Sequence, residues 1–216
     1  MSDRQGDAPR NKQFLLARPE ARVLEWIARR LPSWVMPDHL TALGVVAAVG
    51  IAAAYLLSNG SEVWLWAASA LLVVHWLGDS LDGTLARVRR TERPRYGYYL
   101  DHLVDAFATA AIGIGLGLSP YMLLAVGLAI VIAYLILSIN TYLETQAFGM
   151  FTLGYGRLGP TEARLLLIGV NTLLALSVVS VGLLDVLGIG LAAVMIAALV
   201  GRAGRNLKRL SELEPA

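Results

Sequence analysis

The sequence predicts an all-α integral membrane protein, with six transmembrane helices and an amphipathic N-terminal helix lying in the membrane interface. Three observations carry this. Apolar runs of about 20 residues recur along the chain, the length needed to cross a bilayer. Only 16% of the 216 residues are charged and 56% are hydrophobic, whereas a soluble domain carries about 25% charged residues; mean hydropathy is +0.61. All 18 Lys and Arg residues fall on one side of a six-span layout.

The N-terminal segment is polar through residue 12, and no fixed structure is expected there. Phe14–Ala17 is too short for the apolar core of a signal peptide. Residues 19–31, "PEARVLEWIARRL", place Val23, Leu24, Ile27, Ala28 and Leu31 on one helical face with arginines opposite. That pattern suits a helix lying in the interface, or a short helix packed on the bundle. Spans follow at roughly 38–58, 62–85, 97–118, 120–140, 162–182 and 185–204. Asp38 is expected to cap the first of them. The turns "SNGSE", "LSP" and "GLLD" hold no Lys or Arg. Seven basic residues precede the first span, five lie at 87–95, Arg157 and Arg164 flank the fifth, and four end the chain. The positive-inside rule then puts both termini on the cytoplasmic side, in the manner of a bacterial inner-membrane protein. The chain reads as one domain, 1–216, with 1–37 as its cytoplasmic and interfacial lead-in. Gly113 and Gly117 form a GxxxG pair suited to close helix contact. That contact could lie inside the bundle or in a homodimer.

Absent cysteines exclude disulfides and thiolate metal sites. A net charge of +2 gives no footprint for nucleic acid.

The segment "GDSLDGTLARVRRTERPRYGYYLDHLVD" (78–105) breaks the apolar pattern. Asp79 and Asp82, at i and i+3, share a face at the end of span two. Gly97, Asp101 and Asp105, at i, i+4 and i+8, share a face at the start of span three. The intervening stretch containing Pro94 is a turn, so the helices are antiparallel neighbours and their carboxylates can meet. A charge at the centre of a membrane helix costs roughly 2.5–3.5 kcal/mol on insertion scales, and four carboxylates at one point repel. Hard oxygen ligands are matched by Mg²⁺, Mn²⁺ or Ca²⁺. Two such ions would balance four carboxylates and suit phosphoryl chemistry. Gly83 and Gly97 leave room for a ligand near the backbone, and Arg87 can grip a phosphate with two donors. Taken singly, each residue has a plainer reading: glycine as packing, aspartate as part of an ion path, arginine as a topological anchor.

The segment resembles the signature of the CDP-alcohol phosphotransferase family, D-x2-D-G-x2-A-R-x8-G-x3-D-x3-D. Asp79, Asp82, Gly83, Ala86, Arg87, Gly97, Asp101 and Asp105 fill its eight fixed positions over 27 residues, with nine rather than eight residues between Arg87 and Gly97. The resemblance implies transfer of a substituted phosphate from a CDP-linked donor to an acceptor alcohol, with release of CMP. It implies that Asp79, Asp82, Asp101 and Asp105 hold Mg²⁺ or Mn²⁺, two ions per site, and that Asp105 is also the general base. Gly83, Ala86, Arg87 and Gly97 would shape the CDP site, and Thr41 would line it. Arg157 and Arg164 are candidates for an acceptor phosphate or for plain anchors, and Asn140 and Glu144 are placed to reach the same cavity. His75, one turn before Asp79, reads as a core histidine more readily than as a site residue. His102 should point away from the aspartates. CDP-diacylglycerol is the favoured donor, with membrane lipid as the surrounding partner. The rival plan is a choline- or ethanolamine-type transferase acting on diacylglycerol, which "LDHLVD" (100–105) resembles. A cation or proton transporter would spread its acidic residues over several spans near the midplane, which this chain does not do.

Overall fold

A computed structural model of the chain describes residues 16–148, 159–180 and 182–214. Among the described residues there are seven α-helices and no strand: α1 (Ala17–Ala28), α2 (Pro37–Leu57), α3 (Val63–Arg89), α4 (Pro94–Gly117), α5 (Leu124–Phe148), α6 (Pro160–Ala175) and α7 (Gly182–Leu213). Five of them, α2, α3, α4, α5 and α7, are long and apolar enough to cross a bilayer. Their outward faces carry large apolar side chains, Val46, Leu128, Ile132, Val186 and Val194 among them. In water that surface would be a liability; in lipid it is the ordinary solvent-facing side. This is the architecture of an integral membrane protein.

α6 is the exception. Its 16 residues rise about 24 Å at 1.5 Å per residue, short of the roughly 30 Å hydrocarbon core. The helix expected over 162–182 stops early because Ser177 adopts a left-handed conformation, φ 53°. The Ser177 and Val178 amides turn back to the carbonyls of Leu174 and Leu173. The sequence there, Ser177-Val178-Val179-Ser180, is made of weak helix formers. α5 and α7, by contrast, run well beyond their expected ends.

Three helix starts are set by proline. Pro37, Pro94 and Pro160 each sit in the first turn, where the missing N–H is not needed. Asp38 is therefore not the cap of α2: that position belongs to Met36, whose amide donates to His39 Nδ1 at 3.2 Å. Asp38 instead pairs with Arg93, and its hydrogen bond raises the already high pKa of that exposed guanidinium.

α2 packs on α3 and α4, α3 on α6, α4 on α5, and α5 on α7. The main core gathers Ile51, Tyr55, Leu65, Leu72, Leu116, Val126, Leu174 and Leu184. Within it the Tyr55 hydroxyl donates to Asn171 Oδ1 at 3.0 Å, and the Asn171 amide donates to Ser69 Oγ at 3.2 Å. A second core forms around α1, whose Leu24 and Ala28 bury against Leu40, Leu81 and Leu85. α1 thus packs on the bundle, while Val23 and Trp26 face outward. The GxxxG pair lies inside the chain. A Cβ on Gly113 would collide with Val131 Cγ2, and one on Gly117 would stand 3.0 Å from Leu124 Cα, so both glycines serve the α4–α5 contact.

Candidate active site

The α2–α3 crossing fixes the site. A Cβ on Gly78 would lie 2.6 Å from the Gly44 nitrogen and 2.7 Å from the Leu40 carbonyl, so the two backbones touch there. The next residue is Asp79. From that point α3 carries Asp79 and Asp82 along one face, and α4 returns with Asp101 and Asp105. Arg90 makes the reversal possible. It sits in the left-handed region (φ 55°) and ends α3, with the Thr91 amide closing on the Ala86 carbonyl at 2.9 Å.

All four aspartates line one cavity of about 760 Å³. Thr41, Gly83, Ala86, Arg87, Gly97 and Arg164 share its wall. Asp82 interacts with Asp79 and Asp101, and Asp105 with Asp79 and Asp101, so the carboxylates face one another as the helical spacing requires. Thr41 Oγ1 donates to Asp82 Oδ2 at 2.6 Å, and the Gly83 amide reaches Asp82 Oδ1 at 2.5 Å. Arg164 donates to Asp79 Oδ2 at 2.6 Å, both side chains being largely buried. Arg164 thus joins the aspartate cluster itself. Arg87 Nη2 donates to Thr84 Oγ1 at 3.0 Å. A Cβ on Gly97 would meet nothing within 4 Å, and one on Gly83 only the Arg87 side chain at 3.4 Å. These two glycines border open space rather than a packed contact.

The expectations for His102, Glu144 and Asn140 fall differently. His102 does not point away: it lines the cavity, and its ring offers a ligand atom within 4.8 Å of those of Asp101 and Asp105. Tyr98 meets that ring edge-on at 4.3 Å and Tyr142 leans on it at 4.9 Å, which swings it toward the aspartates. Glu144 is taken by Arg202 at 2.6 Å, and neither it nor Asn140 lines this cavity. His75 is the core histidine its position favoured: it is buried off the cavity wall, with no hydrogen-bond partner at Nδ1. Arg157 lies outside the described residues. Sequence reasoning also passed over Glu20, which lines the cavity and accepts from α3 and α6; no spacing rule joins a residue of α1 to partners 56 and 141 positions away.

The donor set fits a divalent cation. Asp101, His102 and Asp105 of α4 bring ligand atoms within 4.8 Å of one another, a group that could hold a metal ion, and Asp79 and Asp82 of α3 line the same cavity.

A model of the CDP-alcohol phosphatidyltransferase family matches residues 34–203. The chain is 35% identical over 99 residues to phosphatidylinositol phosphate synthase of Cutibacterium acnes, a stretch covering 45% of each protein. It is 33% identical over 96 residues to cholinephosphotransferase 1 of Danio rerio, covering 42% of this chain and 25% of that one. The matches thus span less than half the length of these two relatives. The fold resembles the crystal structure of Mycobacterium tuberculosis phosphatidylinositol phosphate synthase with CDP-DAG bound, with a TM-score of 0.67 and 25% identity. That likeness covers 86% of this chain and 94% of the other.

Proposed function

This chain belongs to the CDP-alcohol phosphatidyltransferase family, and from that premise we propose that it transfers the phosphatidyl group of CDP-diacylglycerol to an acceptor alcohol and releases CMP. The observation that carries the reading is the cavity: four facing carboxylates, two glycines bordering open space and two arginines, in a wall built from α1, α2, α3, α4 and α6. A donor with a polar nucleotide head and two acyl tails needs both a polar pocket and access from lipid. The solved neighbour, crystallised with CDP-DAG, supports the same donor.

Asp79, Asp82, Asp101 and Asp105 would hold one or two Mg²⁺ or Mn²⁺ ions, and His102 stands within reach of the Asp101–Asp105 side. When bound, the ions would neutralise the donor pyrophosphate and the charge that develops on departing CMP. Thr41 and the Gly83 amide orient the Asp82 carboxylate. Gly83, Ala86 and Gly97 leave the wall open for the nucleotide, and Arg87 contributes phosphate-binding donors. Arg164 serves the acceptor side, with Arg157 as a second candidate for an acceptor phosphate. Asp105 takes the proton from the acceptor hydroxyl as its oxygen attacks the phosphorus bearing diacylglycerol. The phosphorus–oxygen bond to CMP breaks, and the bridging oxygen leaves with CMP.

The whole chain acts as one membrane domain in this reading. α1 lies at the interface, α2 to α7 supply six crossings with the short α6 as the fifth, and the site opens to the cytoplasm on the basic side.

A CMP-release assay in liposomes tests the function. CDP-diacylglycerol should support turnover with one member of an alcohol panel, inositol phosphate being the first to try given the relatives above. CDP-choline or CDP-ethanolamine with diacylglycerol should not. EDTA should abolish release, and Mg²⁺ or Mn²⁺ should restore it. Turnover only with the soluble CDP-alcohols would overturn the donor assignment, and full activity in EDTA would overturn the metal site.

A further inference from the structure

Glu20 lies outside the motif, and one of its oxygens ties three helices together. Glu20 Oε1 accepts from Trp76 Nε1 at 2.9 Å and Ser80 Oγ at 3.3 Å on α3, and from Thr161 Oγ1 at 2.8 Å on α6. Ser80 is the residue after Asp79, and Thr161 lies one helical turn before Arg164. These are the two elements whose side chains form the Asp79–Arg164 pair. A second tie reinforces the first. Buried Glu162 accepts from the Leu16 amide at 3.0 Å and the Gly159 amide at 2.9 Å, joining the start of α1 to the start of α6. At the other end of α1, Arg89 of α3 donates to the Leu31, Pro32 and Val35 carbonyls of the following linker. α1 is therefore fastened at both ends, and its residues form part of the cavity wall.

We propose that Glu20 is a positioning residue for the transfer reaction: through Ser80 and Thr161 it holds α3 and α6 in the register that sets Arg164 against Asp79. A carboxylate suits the task because hydrogen bonds to a charged acceptor are roughly twice as strong as neutral ones, and three donors converge here on one oxygen. Displacing a reacting group by about 1 Å can cost on the order of 10²-fold in rate, so a brace remote from the chemistry can govern it.

The kinetic arm of the test rests on the function proposed above; the exchange arm does not. Full-length wild type, Glu20→Gln and Glu20→Ala are compared in detergent micelles by CMP release from CDP-diacylglycerol, by thermal unfolding and by amide hydrogen exchange. Glu20→Ala should lower kcat by about 10²-fold with little change in donor KM, and Glu20→Gln should fall between it and wild type. Exchange should quicken in α6 and around Ser80 while α5 and α7 stay as protected as in wild type. A Glu20→Ala protein with wild-type kcat, even one less heat-stable, would show a merely structural glutamate and overturn the proposal, as would unchanged exchange in α6. If Glu20→Ala does not fold, Thr161→Val, which deletes one arm of the brace, takes its place with a loss of about tenfold expected; wild-type kcat there is equally fatal. If wild type itself releases no CMP from any donor, the function reading fails and the exchange comparison alone decides the role of Glu20.

Discussion

Asp105 differs from its neighbours in what holds it. Asp79 is paired with Arg164 and Asp82 is held by Thr41 and the Gly83 amide, whereas Asp105 shares a hydrogen bond with the Asp79 carboxylate, beside Asp101 and Arg164. A carboxylate set among other carboxylates is suited to take up a proton. Asp105→Asn should therefore cut turnover by about 10²–10⁴-fold, the usual contribution of a general base, while CDP-diacylglycerol still binds. Asp79→Asn and Asp82→Asn should weaken donor binding as well. Donor affinity and CMP release measured on the same preparations separate these outcomes. If Asp105→Asn loses binding as badly as the other two, it is mainly a ligand, and His102 becomes the next base to test. Arg164 invites a second comparison. Removing one partner of a buried ion pair costs about 3–5 kcal/mol, so Arg164→Ala should lower the thermal midpoint, and Asp79→Asn in the same chain should recover part of the loss. The i, i+3 and i, i+4 spacings made the four facing aspartates legible in the sequence, because helix geometry alone decides them. The direction of His102, the diversion of Glu144 to Arg202 and the pairing of Asp38 with Arg93 were not legible. Each depends on a side chain supplied by another helix.

Among the helices, α2 and α3 meet backbone to backbone at the Gly44–Gly78 crossing beside the site. The atoms that a Gly78 Cβ would meet at 2.6 and 2.7 Å belong to backbone, so no rotamer change can relieve the clash. Gly78→Ala should push the helices apart, cost about 1–3 kcal/mol as overpacking does, and separate Thr41 from Asp82. Gly169 on α6 is the control: a Cβ there meets nothing within 4 Å, and Gly169→Ala should be neutral or stabilising by about 0.5–1 kcal/mol. Thermal unfolding in detergent distinguishes the two, and equal midpoints would contradict the crossing. Asn171 bears on the same bundle. Replacing it with Leu would strand the Tyr55 hydroxyl in the core, at a cost of about 1–3 kcal/mol. The apolar runs forecast α2, α3 and α4 and the starts of α5 and α7 to within several residues, since length and composition are enough for that, but not how far α5 and α7 continue. They did not forecast the early end of α6, where hydropathy continues past Ser177 but the backbone turns. Nor did they forecast the Tyr55–Asn171–Ser69 chain, whose members are 116 and 102 residues apart.

Across the whole molecule, charge and apolar surface divide the chain consistently. The five helices able to span a bilayer leave Leu, Ile and Val outward, while the polar cavity lies at the end where α3 hands over to α4. That end also carries Arg87, Arg89, Arg90, Arg93 and Arg95. The turn between α2 and α3, 58–62, carries no basic residue, and neither does the one between α4 and α5, 118–123. Positive charge is retained on the cytoplasmic side, so the cavity should face the cytoplasm and those two turns the opposite compartment. Exposed positions suit a labelling test: Ser61 and Pro120 in the two turns, and Glu92 beside the cavity. The chain has no cysteine of its own, so a single introduced thiol reports without background. Ser61→Cys and Pro120→Cys should react with a membrane-impermeant maleimide added to intact cells. Glu92→Cys should react only after the membrane is opened. Labelling of Glu92→Cys in intact cells, with both turn positions silent, would invert the orientation. Labelling of one turn position without the other would show that α3 and α4 do not both cross, and would remove the antiparallel pair that brings the four aspartates together.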